Sequence, residues 1–337
     1  KLINLKGIIN IGGKVQSVYN FAKKHNTQVK KIFASKSQQK YFPLYNKDGS
    51  LSKKFMGVSN IPVSDNLNII SGNERVLKAR LSDARFFYDN DIKKGLIKLS
   101  ESLKNIIFHR SLGTMEDKII RVNYIVSKYS ECFKANSKLA ITAAKLCKAD
   151  LCSEVVYEMP ELQGIIGSIY ASEKNYPQEV SIAIKEQYSP LGPSDKCPSI
   201  PESAILSFSD KIDSLVGFIA MDMKATGSKD PFGLRRSCLG IIRIIIEKRI
   251  RISIMDVINA SYASYENQNI KLKLSKNESN KSTLDFIYDR LRVFLKDRAL
   301  SQSAIQAIFE VSEFTDILDD LDKINALSVF MLSLIHI

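Results

Sequence analysis

The stretch Asp230 to Glu247 constrains this chain more than any other: it reads as a helix start, then a helix that is apolar on most sides yet carries arginines at fixed spacing. Asp230 is suited to cap a helix, and Pro231 to occupy its first position, where a missing N–H costs nothing. Arg236 and Arg243 are seven residues apart and so share nearly one stripe, with Gly240 between them and Glu247 beyond. Gly240 would let something large approach the backbone. Two readings stay open: a buried helix whose arginines pair with acidic neighbours, or a helix that offers them to a ligand.

Most of the chain carries the same helical period. Asn73–Tyr88 places Val76, Leu77, Arg80, Leu81, Ala84 and Phe87 at helical spacing. Further helices are predicted at 90–108, 114–130, 137–150, 178–187, 202–221, 231–249, 253–265, 280–297 and 301–310. Loops are predicted at Pro177, Ser189–Pro193 and Thr226–Ser228, and the polar, lysine-rich stretch Asn267–Ser282 reads as a linker. Residues 38–61 read instead as a hairpin. Tyr41–Tyr45 is β-rich, Asp48-Gly49 turns, and Phe55–Ile61 returns. The expected fold class is therefore mainly α, with a short β-hairpin near the start. The last ten residues read as an apolar tail without a helix stop.

A length of 337 residues suggests two domains or three small ones, and 45% hydrophobic residues suffice for real cores. Lys and Arg exceed Asp and Glu by 49 − 36 = +13. Such an excess favours polyanionic partners or serves solubility alone; charge by itself does not separate the two. Residues 1–36 hold eight lysines and no acid, and read as a basic arm. Five cysteines without a CxxC pair read as reduced thiols. No run of about 18 apolar residues occurs, so no membrane span is expected.

Motifs for bond-making chemistry are scarce. No G-x-S-x-G occurs, and Ile11-Gly12-Gly13-Lys14 lacks phosphate-loop spacing. His25, His109 and His336 are the only histidines. What remains is basic: Lys78, Arg80 and Arg85 on one predicted helix, Lys118 and Arg121 on another, and Lys229, Arg235, Arg236 and Arg243 on a third. Each set is either a solvated face or a surface that tracks phosphates. Tyr41, Phe42, Phe86 and Phe87 are either base-stacking groups or, the better reading, core.

Four segments, in order, carry a family resemblance. They are Gln39-Lys40-Tyr41-Phe42-Pro43 with Asp48-Gly49; Ser71-Gly72-Asn73-Glu74 through Ala79-Arg80, Asp83-Ala84 and Phe86-Phe87; Phe108–Val122 (FHRSLGTMEDKIIRV); and Lys229–Lys248 (KDPFGLRRSCLGIIRIIIEK). Together they resemble the beta subunit of bacterial heterotetrameric glycyl-tRNA synthetase, over roughly residues 38–325. The resemblance implies an α2β2 enzyme whose alpha subunit activates glycine with ATP and Mg²⁺. It implies a beta subunit that binds and positions tRNA-Gly in the cytoplasm. By this resemblance the chain is a non-catalytic ligase subunit, inactive alone and binding no cofactor itself. The basic positions above become candidate tRNA contacts.

The same resemblance implies four parts: 1–36, an unmatched basic arm; 37–90, the end of an α+β region; 91–225, a degenerate HD-like helical domain; and 226–337, the truncated start of an anticodon-binding-like helical region. A working HD-phosphohydrolase site needs paired histidines and carboxylates on divalent metals. Here the His-Asp position resembles Cys147-Lys148-Ala149-Asp150, and the late Asp resembles Asp210 in Phe208–Asp213. Metal and catalytic residues are therefore expected to be none, and Asp210 and Asp213 to pair with Lys211 or with Arg side chains. The rival classes are a metal phosphohydrolase and a purely structural assembly module.

Overall fold

The computed structural model describes residues 3–8, 42–59, 67–223, 230–296, 300–312 and 315–335. The basic arm beyond residue 8, His25, Gly12-Gly13, Gln39–Tyr41 and Lys229 lie outside these residues. The chain divides into two compact units: residues 1–95 with 150–166, and residues 96–149 with 167–337. The fold is mainly α, with thirteen α-helices among the described residues.

The first unit holds a small antiparallel sheet in which β1 (Ile3–Ile8) and β2 (Phe42–Tyr45) flank β3 (Leu51–Ser59). The expected hairpin joins β2 to β3. Gly49 sits at φ +77°, and the Asp48 carboxylate accepts from both the amide and the hydroxyl of Ser50. Helix α1 (Leu67–Lys94) buries Leu77, Leu81, Tyr88 and Asp91. Its buried Asp91 carboxylate caps a neighbour, accepting from the amides of Glu154 and Val155 at 3.1 Å each. Those amides open the short helix α5 (Glu154–Glu158).

The second unit is built around α8 (Pro201–Ala220), which is buried on nearly every side. Against it pack α3 (Met115–Tyr129), α4 (Ser137–Leu146), α7 (Gln178–Glu186), α9 (Leu234–Lys248), α10 (Ile254–Asn267) and α11 (Lys276–Lys296). A helix surrounded this way must be apolar wherever its polar groups are not paired. Leu206, Phe208, Ile212, Leu215, Val216 and Ile219 meet that demand with no exposed surface. The starts are chemically marked: Thr114 and Asp117 form a capping box on α3, Asn136 caps α4, and Ser253 caps α10.

Several boundaries differ from the sequence expectation, each for a local reason. The helix predicted at 90–108 is interrupted, because Gly95 at φ +77° ends α1 with its amide on the Asp91 carbonyl. A short helix α2 (Leu96–Ser100), a 3₁₀ turn and the two-stranded ladder of β4 (Ile107–His109) and β5 (Gly113–Thr114) follow. Helix α9 starts at Leu234 rather than Pro231, because Gly233 adopts φ +66°. Asp230 still caps it from outside the helix, accepting from the amides of Leu234 and Arg235. The supposed linker 267–282 contains the first turns of α11, whose Ser275 and Glu278 exchange capping bonds. Helix α6 (Ile165–Glu173) is too apolar to show a period, and α13 (Ile317–Ile335) follows α12 (Gln302–Val311) where an apolar tail was expected.

The glycine of α8 shows how tightly this unit is fitted. A Cβ on Gly217 would run into the Tyr265 hydroxyl, which donates to the Asp213 carbonyl at 2.9 Å. Gly217→Ala gains helix propensity yet is expected to cost about 1–3 kcal/mol net through overpacking. A urea midpoint equal to or above the parent's would show that Tyr265 yields freely.

Candidate nucleic-acid interface

The nine basic positions fall into two groups. On α1, Lys78 and Arg80 are exposed, and the half-exposed Arg85 bonds Asp89 one turn on at 2.8–2.9 Å. Near the start of α9, Arg236 is exposed and Arg235 half-buried. The Arg236 guanidinium folds back over its own cap, within 3.1 Å of where a Gly233 side chain would begin. These are the described positions open to phosphates.

Lys118, Arg121 and Arg243 are not on a surface, which corrects the expectation for all three. Lys118 is 3% exposed, Arg121 0% and Arg243 8%. The helical period that made them look like a face points them inward instead. Arg243 bonds Glu247 at 2.7 Å and the Gly192 carbonyl at 2.8 Å. This is the first of the two readings left open for that helix. The aromatic expectation also changes in part. Phe86, read as core, is 61% exposed, and Phe87 is half-buried against its edge at 6.0 Å between centroids.

Where a metal-dependent phosphohydrolase would gather donors, the second unit gathers cations. Arg121 Nε and Lys118 Nζ lie 2.7 and 3.2 Å from the Asp213 carboxylate. Asp210 takes Lys148 at 3.2 Å and Lys118 at 3.4 Å. Aromatic faces complete the cage: Lys148 lies 3.9 Å from the Tyr188 centroid, Arg121 4.0 Å from Tyr265 and Lys118 4.5 Å from Phe108. Arg121 also reaches Gln268 Oε1 at 2.6 Å, and Gln268 in turn donates to the Asp117 carbonyl. Burial opposes ionisation of Asp210, but the Lys118, Lys148 and Lys211 ammonium groups hold its carboxyl well below the usual range.

Lys211 is the fourth cation. Its ammonium donates to the carbonyls of Tyr188 and Ser189 and to Ser207 Oγ at 2.8–3.2 Å. Its stem explains Gly240: a Cβ there would lie 2.6 Å from Lys211 Cε. The large approach that Gly240 permits is thus a lysine of the same chain. Sequence reasoning named Lys211 only as a partner for the aspartates and gave Lys148 no role; the missing histidine before Asp150 was the available signal.

Three cations therefore pair with two carboxylates, and a fourth is held by carbonyls and a hydroxyl beside them, in a donor set suited to holding charge in place and not to binding a divalent metal. Among the described residues no group of three or more His, Cys, Asp or Glu is placed to hold one. Asp213→Asn would leave Arg121 buried beside an uncharged partner, and is expected to destabilise by about 3–5 kcal/mol. Chemical denaturation measures this, and a loss below about 1 kcal/mol, the level of an exposed pair, would contradict it. Lys211 supplies a pH test. Burial, first, and the neighbouring lysines pull it from 10.5 down to about 8, against the pull of Asp210. Between these pH values the unfolded chain binds the proton that the folded chain has released, so this group's contribution to stability rises with pH. Relative to Lys211→Met, the parent should gain about 3 kcal/mol between about pH 7.5 and pH 10.5. An unchanged gap in urea midpoints would mean that the ammonium is not strained.

Residues 31–310 match the family described as Glycyl-tRNA synthetase beta subunit. A relative named glycine–tRNA ligase beta subunit in Ruegeria sp. (strain TM1040) is 39% identical over 304 residues, 88% of this chain and 42% of that protein. Its namesake in Syntrophomonas wolfei is 41% identical over 278 residues, 82% of this chain and 40% of that protein. That of Janthinobacterium sp. (strain Marseille) is 38% identical over 297 residues, covering 88% and 41%. The chain thus spans about two fifths of the length of the curated relatives it matches. With the family's segments running through both units, the chain belongs to the glycyl-tRNA synthetase beta subunit family.

Proposed function

We propose that this chain is part of a glycine–tRNA ligase beta subunit that binds tRNA-Gly and positions it for ATP-dependent glycylation. The reading rests on the family match through residues 31–310, which takes in both exposed basic groups. Glycine activation, with its ATP and Mg²⁺, belongs to a separate alpha subunit in an α2β2 assembly, and the chain binds no cofactor of its own. It works in the cytoplasm; among the described residues no helix is long and apolar enough to cross a membrane. The net charge of +13 supplies a salt-sensitive pull on phosphates.

The contribution to catalysis is placement. Holding the tRNA in register removes much of the entropic cost of bringing its reacting end to an activated glycine. Lys78, Arg80 and Arg85 in the first unit, and Arg235 and Arg236 in the second, are the proposed phosphate contacts, joined by Lys229. Lys118, Arg121 and Arg243 instead act within the fold. The caged Asp210 and Asp213 are structural, and the isolated chain carries no aminoacylation activity.

Arg236→Glu tests this directly, because an exposed side chain can be reversed in charge without disturbing the helix. The expected result is weaker tRNA-Gly binding by about three- to tenfold in filter assays, and a salt slope reduced by about one. Unchanged helicity in circular dichroism should accompany it. Affinity equal to the parent's at moderate salt would make Arg236 structural. Absence of salt-sensitive tRNA binding by the parent chain would favour an assembly module.

A further inference from the structure

Beside Arg235 and Arg236 stands an aromatic group that the phosphate contacts leave unused. Phe232, in the loop before α9, is 39% exposed. One face lies on Phe218, with ring centroids 4.1 Å apart and planes 16° from parallel. His109, from β4, sets its ring edge-on to both, at 5.8 Å from Phe232 and 5.4 Å from Phe218. Phe108 adds a contact with Phe218 at 5.7 Å. The His109 ring is itself oriented: its Nδ1 accepts from the Ser111 amide at 3.2 Å, leaving Nε2–H as the donor of the neutral ring.

The backbone around Phe232 is tied down. The Gly233 amide bonds the Asp230 carbonyl, and the Asp230 carboxylate holds the next two amides. A loop pinned at both ends thus presents a ring already stacked on one side, so that its exposure lies at the other side and the rim. Arginines neighbour the platform residues in the chain. Arg236 folds over the adjacent Gly233, Arg235 follows, and the exposed Arg110 extends from His109. Rigid aromatic faces flanked by guanidinium groups suit an unpaired nucleotide, whose base stacks while its phosphate pairs with arginine. A lid that only covered Phe218 would need neither the arginines nor the histidine edge.

We propose that Phe232, backed by Phe218 and flanked by Arg235, Arg236 and Arg110, is a stacking platform for one unpaired base of a bound RNA. The platform rests on the tRNA-binding reading and adds to it a requirement for single-stranded structure. His109 Nε2–H, on the ring set edge-on to Phe232, is offered to a base edge or ribose oxygen.

The chain contains no tryptophan, so Phe232→Trp places a single reporter at the platform. The probes are a single-stranded oligoadenylate of about ten nucleotides and an abasic ribose-phosphate oligomer of equal charge. Their affinities are read by anisotropy of a label on each oligomer. The oligoadenylate should bind more tightly than the abasic oligomer and quench the tryptophan emission; the abasic oligomer should bind without quenching. Phe232→Leu keeps the apolar cover on Phe218 but removes the π-face. It should weaken oligoadenylate binding by about 5- to 50-fold and shrink its advantage over the abasic oligomer. Salt-sensitive binding of both oligomers, equal in affinity, unaffected by Leu and without quenching, would overturn the platform and leave the tRNA reading standing. Failure of the parent chain to bind either oligomer or tRNA-Gly would overturn both.

Discussion

The buried pair of Arg121 and Asp213 is the constraint around which the second unit is arranged. Neither side chain has any exposed surface, and in a low-dielectric interior neither charge is tolerable without the other. The pair ties α3 to α8, and its surroundings recruit α10. Tyr265 lies under the guanidinium and donates to the Asp213 carbonyl, while Gln268 accepts from Arg121 and donates back to α3. Gly217 must then be a glycine, because the Tyr265 hydroxyl fills the space of its side chain. One ion pair thus sets the register of three helices.

From that pair the network spreads to Asp210, Lys118, Lys148 and Lys211, and its composition decides what this part of the fold can do. A hydrolytic centre leaves carboxylates for a metal ion and water. Here each carboxylate is saturated by ammonium or guanidinium groups from its own chain. The energetic gain over a well-packed apolar core is small or absent for such a network; its value is specificity, since few alternative packings satisfy every charge. A centre that holds its own counter-ions is a support and not a metal site.

The fold was legible in part, for identifiable reasons. Ser275-Lys276-Asn277-Glu278 is a capping signature at the start of α11, but the polar composition around it outweighed it and the stretch read as a linker. Gly95, which ends α1, was likewise passed over within a helix expected at 90–108. The second unit's central helices were found because their apolar period is strong. Helix α6 was missed because a helix buried all round has no period to detect. Pairing of Asp210 and Asp213 with Lys211 or arginine was expected; Arg121 on Asp213 meets it, while Lys118 and Lys148 take the place of Lys211, which bonds carbonyls and a hydroxyl.

The candidate site was less legible, because sequence shows that a helix carries arginine but not where the solvent lies. Arg236 and Arg243 share a stripe, yet one is exposed and the other bonds Gly192 and Glu247. The difference arises from packing around the far end of α9, which no local pattern encodes. The same holds for Gly240, whose missing side chain signalled a close approach without naming Lys211 as the group that approaches. What separates the two arginines is therefore tertiary: the first turn of α9 emerges from the core at the Asp230–Gly233 loop, whereas Arg243 lies where the helix meets Gly192. Of the arginines within that helix, those open to solvent are therefore the two of its first turn, beside the aromatic ring.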